Sequence, residues 1–389
     1  MSRELSAEEV YEGFAIHDRV RAFEDAPGTQ VRFGCGLLEL LGEEAAALGR
    51  RAMIVTDQGL VDAGYAGRAE ASLNKAGLTA TVFSDVHENP STADIRRAVR
   101  AAQEADIDLL IGLGGGSSMD AAKGCNFILT NGGEMKDYWG KEKASKPMLP
   151  LIAIPTTAGT GSECQSFALI ADEHTHAKMA CGDKKAAAKI AILDPELTLS
   201  QPSKVTAVTA IDAISHAIES YVSKAANDVS RSYALAGFQL MRDAVQRVAA
   251  DSKDLLGRAR MQLGAAMAGT AIENSMLGAS HSMANPLTAH FGIIHGQAIG
   301  ATLPEVIRRN AQDPAVAQRY RELFADEPLD AWLGARVKDY QLATRLRDLG
   351  VDEAMLPTLA EEAAQQWTAQ FNPISLTGED FVKLYQACW

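Results

Sequence analysis

Short unbroken apolar runs alternate with amphipathic stretches through the first half of the chain. Ala52-Met53-Ile54-Val55-Thr56 reads as a buried strand, residues 58–77 as a helix ending at Gly77, and Thr79-Ala80-Thr81-Val82-Phe83 as the next strand. A helix follows from Thr92, with Ile95, Val99 and Ala102 spaced to share one face. Asp108 to Leu113 forms a third strand that runs into glycines, and Leu151–Ile154 and Ile190–Leu193 give two more. Strands that alternate with helices predict a mostly parallel sheet covered on both faces. After Asp194-Pro195 strand-like runs nearly vanish, and alanine-rich helical patterns occupy 205–223, 227–250 and 256–276. The expectation is an α/β domain over residues 1–196 and an all-α domain over residues 197–389. The charged stretch Lys141–Lys146 is expected to be an exposed loop, and no repeat of fixed period occurs.

Composition narrows the classes. A chain of 389 residues, 47% hydrophobic, can bury a core in each of two domains. Its formal charge of −13 argues against nucleic acid and against an anionic membrane surface. The five cysteines (Cys35, Cys125, Cys164, Cys181, Cys388) include no C-x-x-C pair, which argues against a disulfide framework or a thiolate zinc site. With no apolar signal segment at the start and no apolar stretch of about eighteen residues, a cytoplasmic location is expected.

Candidate chemistry lies in four places. The run Gly112-Leu113-Gly114-Gly115-Gly116-Ser117 follows a strand and precedes a helix, which suits a pyrophosphate: bare backbone N–H groups, a helix N-terminus and the Ser117 hydroxyl. Asp57, after an earlier strand, can accept from ribose hydroxyls and repel a 2′-phosphate, favouring NAD over NADP, or can cap a helix. Because this acid precedes the glycines, the domain differs from a standard Rossmann unit. In Pro155-Thr156-Thr157-Ala158-Gly159-Thr160-Gly161-Ser162-Glu163, three threonines and a serine can line a cofactor cleft. Finally, Asp212 and His216 lie one helical turn apart, with Glu219 on the same side to steady an imidazole. His281 and His295 sit among small residues that let separate helices converge. One carboxylate and three imidazoles suit Fe²⁺ or Zn²⁺. His17, His87, His174 and His176 show no partnered spacing and read as solvated. His290 reads as a helix-face residue, with a proton carrier as the alternative.

Together these motifs resemble the iron-containing (group III) alcohol dehydrogenases, from about residue 28 into the C-terminal helices. The family's glycine motif matches Gly114-Gly115-Gly116-Ser117-x-x-Asp120, and its P-T-T-x-G-T-G-S-E segment matches Pro155 to Glu163. Its D-A-x-x-H-A-x-E matches Asp212 to Glu219, and its H-x-M-A-x-P…H-G matches His281 to Gly296. The resemblance implies metal ligation by Asp212, His216, His281 and His295. It implies cofactor contacts from Asp57, Asn89, Gly114, Gly115, Gly116, Ser117, Asp120, Thr156, Thr157, Thr160, Lys178 and Leu197. It further implies catalysis in a cleft between an α/β and a helical domain, and a homodimer or larger homo-oligomer.

Two positions depart from the family pattern. Asn285 stands where members active on small alcohols often carry a histidine, so a proton relay there must pass to His290 or water. Phe167 stands where a polar residue is common, which hints at a more apolar pocket. The implied function is NAD-linked oxidation of a small alcohol, diol or hydroxy acid, or reduction of the aldehyde. The alternatives are a metal- and NAD-dependent lyase of the dehydroquinate synthase type, disfavoured by the lack of a dense Lys/Arg cluster near the ligand motifs, and a non-enzymatic assembly protein.

Overall fold

The computed structural model of the chain describes residue 10 and residues 28–389 apart from residue 176, so His17 and His176 lie outside the described residues. These residues divide into two compact units. One holds the described residues up to 157 together with 161–201; the other holds 158–160 and 202–389. The division thus falls a few residues later than the composition shift suggests, and Leu197 belongs to the first unit.

The first unit contains, in order, β1 (Gln30–Phe33), α1 (Leu41–Ala46), β2 (Arg51–Val55), α2 (Gln58–Asp62), α3 (Tyr65–Lys75), β3 (Thr79–Phe83), α4 (Thr92–Glu104), β4 (Leu109–Gly114), α5 (Gly116–Asn131), β5 (Gly140–Lys141), β6 (Leu151–Pro155), β7 (Phe167–Ala171), β8 (Lys178–Gly182) and β9 (Ile190–Leu193). Six strands form an all-parallel sheet in the order β1-β9-β6-β4-β2-β3. From β2 the chain moves to β3 on one side and β4 on the other, so the connections diverge between β2 and β4. In open parallel sheets that divergence opens a crevice at the carboxyl ends of the strands, where ligands bind. Asp57 and Gly114 stand at the ends of those two strands. The two faces of the sheet carry separate apolar clusters, one around Met53, Leu110 and Ala153 and one around Ile54, Ile111 and Ile152. Alternate residues of each strand therefore feed opposite cores, as a sheet covered on both sides requires.

Three local features depart from the sequence reading. The helix expected over 58–77 is two helices, because Gly64 adopts φ 82 and ends the first path before Tyr65 starts the second. The edge strand β1 carries only one fully buried position and so lacks an apolar run. A second, three-stranded sheet (β5-β8-β7) was not anticipated; it takes Gly140–Lys141 into pairing with β8 and buries Ala144 within the otherwise exposed charged stretch.

The second unit is helical: α6 (Ser203–Val222), α7 (Asp228–Ala250), α8 (Leu255–Glu273), α9 (Ala279–Phe291), α10 (His295–Asn310), α11 (Pro314–Leu323), α12 (Leu329–Asp339), α13 (Leu356–Gln365) and α14 (Gly378–Cys388). Its centre is α6, buried at every position from Thr206 to Val222 except Thr209. Helices α7 and α8 cross closely at Gly237 and Gly264. A methyl on Gly237 would come within 2.7 Å of the Gly264 carbonyl oxygen. No helix among the described residues is long and apolar enough to cross a membrane, and all five cysteines are free thiols.

The Gly237–Gly264 crossing yields a stability test. Gly237→Ala should cost about 1–3 kcal/mol through overpacking. Gly334→Ala, inside α12 with nothing near its added methyl, should gain roughly 0.5–1 kcal/mol from helix propensity. Chemical denaturation of the two variants checks the opposite signs.

Candidate functional site

In the helical unit, one face of α6 presents Asp212, His216 and Glu219, each a turn from the next. Helix α9 begins just before His281, and α10 begins at His295 itself. Gly296 lets α10 approach, since a methyl there would lie 2.0 Å from the Val208 carbonyl oxygen of α6. The result is a tight cluster. The Asp212 Oδ1 atom lies 3.3 Å from His216 Nε2, 3.6 Å from His281 Nε2 and 3.8 Å from His295 Nε2. Asp212, His216 and His281 are all buried, with candidate ligand atoms within 4.8 Å of one another.

These residues fit a divalent cation on their own evidence. Asp212 Oδ1 and His281 Nε2 are buried without a hydrogen-bond partner, a costly condition unless something else satisfies them. For ligand bonds of about 2.1 Å, the edge of a tetrahedron is about 3.4 Å, close to the three separations around Asp212 Oδ1. Burial opposes ionisation of Asp212, yet the positive charges of His216, His295 and His281 hold it far below the usual carboxylate range. Burial likewise opposes a proton on His281, but the hydrogen bond to Glu219 and the negative charges of Glu219 and Asp212 outweigh it and carry the imidazole up to about 9. Burial lowers His216. The pull that Asp212 exerts on a proton at His281 is one that a cation would satisfy in its place.

The far side of His281 is fixed by Glu219, whose Oε2 lies 2.5 Å from Nδ1. The same carboxylate accepts from the backbone N–H of Gly278 (3.1 Å) and Ser280 (2.8 Å), and Asn372 Oδ1 accepts from that of Ala279 (3.2 Å). The uncapped start of α9 is thus satisfied by the group that aims its histidine. One turn further along α9, Asn285 donates to Gln366 Oε1 at 3.0 Å. His290 is nine residues beyond His281, about 180° around the helix. Its Nε2 pairs with Glu362 at 2.9 Å, the helix-face placement.

In the first unit, the glycine run forms a cradle. Gly114 closes β4 at φ 151, Gly115 is the N-cap of α5, and no side chain caps that helix. A methyl on Gly114 would strike Ser118 Oγ at 2.3 Å. The first N–H groups, Ser117 included, are left for an anion. Asp57 caps α2 by accepting from Leu60 N–H through one oxygen at 3.1 Å, so the capping alternative is realised, while its second carboxylate oxygen takes no part in that cap. Asn89 (φ 53) lies 3.5 Å from Lys178 Nζ through its side-chain oxygen. Thr156 is buried, its N–H donating to the Gly114 carbonyl at 2.9 Å, and Thr157 packs beside Gly115. Thr160 falls in the stretch that groups with the helical unit, where Gly159 lies against Thr209.

Several placements differ from the sequence reading. The serine expected to line a cleft faces inward: Ser162 Oγ donates to Asp120 Oδ1 at 2.9 Å, and both residues are buried. Leu197 is fully buried in the apolar core, so only its backbone is left for a ligand. Phe167 lies across Gly182 on the small sheet, with the Lys141 ammonium 5.5 Å from its ring centre. His87, expected to be without a partner, reaches Asp94 at 2.9 Å. His174 is largely exposed. Lys123, which the sequence reading passed over, is completely buried beside Ser162. Its signal was a lysine one turn after Asp120 on a helix otherwise apolar at that level.

Comparison with known proteins agrees over most of the chain. The sequence profile of iron-containing alcohol dehydrogenases matches residues 28–195, and that of the Fe-containing alcohol dehydrogenase family, C-terminal, matches residues 206–389. Alcohol dehydrogenase 4 of Schizosaccharomyces pombe is 33% identical over 91% of this chain and 86% of its own. The crystal structure of a 1,3-propanediol oxidoreductase superposes with a TM-score of 0.89 at 29% identity, covering 92% of this chain and 97% of that one. Sulfoacetaldehyde reductase from Bifidobacterium kashiwanohense, crystallised with NAD+, gives a TM-score of 0.85 at 29% identity over 93% and 97% of the two chains.

Two outcomes are expected from this geometry. His281→Ala should reduce bound iron or zinc from about one equivalent per chain to near none, with the circular dichroism spectrum unchanged; elemental analysis reads the metal. Separately, burial raises Glu163 to about 7 from an ordinary 4.5. The unfolded chain then loses that proton first, so the stability tied to neutral Glu163 is complete below about 4.5 and is lost as pH rises through about 7. The melting temperature of Glu163→Gln relative to the unsubstituted protein should therefore rise across that interval; a constant difference contradicts the assignment.

Proposed function

The chain belongs to the iron-containing alcohol dehydrogenase family, and from that membership we propose that it interconverts a small alcohol, diol or hydroxy acid with its carbonyl form, using NAD and Fe²⁺, with Zn²⁺ as the alternative metal. Membership makes it an oxidoreductase and disfavours the lyase of the dehydroquinate synthase type. The observation that carries the proposal is the buried, hydrogen-bond-starved cluster of Asp212, His216 and His281, with His295 beside it.

Asp212, His216, His281 and His295 would hold the metal. Bound there, a divalent cation supplies Lewis acidity toward the oxygen of an alcohol or aldehyde. Asp212 brings the one negative charge among the four ligands, so about one positive charge is left uncompensated to favour a developing oxyanion. Glu219 keeps the His281 ring oriented and leaves its Nε2 free of a proton when the ligand set is complete. Burial of Asp212, His216 and His281 excludes water from most of that shell.

Gly114, Gly115, Gly116 and Ser117 would hold the pyrophosphate on uncapped N–H groups. Asp57 would receive the ribose hydroxyls on its remaining oxygen and repel a 2′-phosphate, which makes NADP the poorer coenzyme. Asn89, Lys178, Thr156, Thr157 and Thr160 are assigned to the rest of the coenzyme. Asn285 has no proton to pass at neutral pH, and Glu362 occupies His290, so the alcohol proton is assigned to water.

Five free thiols and a charge of −13 support a cytoplasmic enzyme that does not work on nucleic acid or membranes. A homodimer or larger homo-oligomer follows the family's habit.

The test is a panel of short alcohols, diols, hydroxy acids and aldehydes with both coenzymes on iron-reconstituted protein. NADH should appear with at least one small alcohol, turnover should stop on chelation, and rates with NADP should be lower by roughly tenfold or more, the equivalent of about 1.4 kcal/mol. Protein that carries iron but oxidises or reduces nothing in the panel with either coenzyme contradicts the proposal.

A further inference from the structure

Lys123 lies in α5, seven residues after its first glycine, about 10 Å along the axis from the phosphate cradle. Its side chain is fully buried. The ammonium donates to the Ser162 carbonyl at 2.6 Å, to Ser162 Oγ at 2.8 Å and to the Phe167 carbonyl at 3.0 Å. Ser162 Oγ in turn donates a hydrogen bond to Asp120 Oδ1. An ammonium has three N–H donors, and these three bonds use them. Lys123 is therefore set up to hold this stretch of chain.

What it holds is the segment that runs from Thr156 toward Phe167. That segment is attached to the cradle at one end, where Thr156 N–H meets the Gly114 carbonyl and Thr157 packs 3.4 Å from where a Gly115 methyl would stand. It is attached to the interior of α5 at the other end through Lys123. Burying an ammonium is expensive. An apolar side chain would serve a mere core better, unless the register of this turn against the glycines matters.

We propose that Lys123 is a positioning residue for the coenzyme: through Ser162 and Phe167 it fixes the Thr156–Thr157 turn against the Gly114–Ser117 cradle, so that the nicotinamide half of NAD meets a preformed surface. The inference rests on the coenzyme reading given above. Asp120 acts with it by orienting the Ser162 hydroxyl. Asp120 is thereby a support for the turn, buried away from the ligand. Burial pushes its carboxyl up, against the pull of Lys123 and Ser162.

The test is fluorescence titration of iron-loaded Lys123→Met with NADH, and competition with ADP, which carries the adenosine and pyrophosphate but no nicotinamide. NADH should bind roughly tenfold or more weakly, about 1.4 kcal/mol, while ADP affinity changes far less and iron content does not change. In turnover, KM for NAD should rise much more than kcat falls. If Lys123→Met does not fold, Ser162→Ala decides by the same titrations, since it removes the hydroxyl link and leaves the carbonyl; a smaller loss in the same direction is expected. Equal losses for NADH and ADP, or unchanged NADH affinity in the folded variant, overturn the inference. A wild-type protein that binds neither NADH nor NADPH overturns the coenzyme reading and this inference with it.

Discussion

A single buried carboxylate oxygen organises the chemistry of this protein. Asp212 Oδ1 sits among three imidazoles at 3.3 to 3.8 Å, with no hydrogen-bond partner of its own. A charge so placed costs several kcal/mol unless opposite charge is brought to it. Around that oxygen the folded chain gathers imidazoles from three different helices, so the cluster demands that α6, α9 and α10 converge. The small residues at the convergence, Gly278 and Gly296, are consequences of that demand, since each lies where a larger side chain would press on Glu219 or on the backbone of α6.

The surroundings of the cluster follow the same logic. Glu219 is one charged group satisfying three donors: a ring nitrogen and two helix-start amides. Burial opposes its ionisation, but the hydrogen bond and charge of His281 and the two amides keep it ionised below the usual range. The helix start and the orientation of the His281 ring therefore cannot be disturbed separately. In the first unit, positive potential is supplied another way, by the bare N-terminus of α5. There the chain leaves the helix start without a side-chain cap and places the buried Asp120 and Lys123 further down the helix.

Much of this was legible in the sequence because it is local. Asp212, His216 and Glu219 share a helix face through their spacing, and β2, β4, β6 and β9 are buried on both sides and so appear as continuous apolar runs. What was hidden depends on distant pairing. β1 is a strand because it meets β9, 160 residues later in register; its own residues alternate weakly. The small sheet forms because β7 and β8 fold back on each other, and Ser162 turns inward because Lys123 and Asp120 wait there. The break at Gly64 was concealed by a helical pattern that continues across it. Histidine placement was mixed for the same reason: His281 was marked by its neighbours, whereas the partner of His290 is Glu362, far along the chain.

The central claim is that these four side chains meet around one cation. Anomalous diffraction at the iron edge, on crystals grown from iron-loaded protein, tests it most directly. The account predicts one strong peak bounded by Asp212 Oδ1 and the Nε2 atoms of His216, His281 and His295. A peak at another location, or iron-free density inside that ring of atoms with iron in excess, contradicts it.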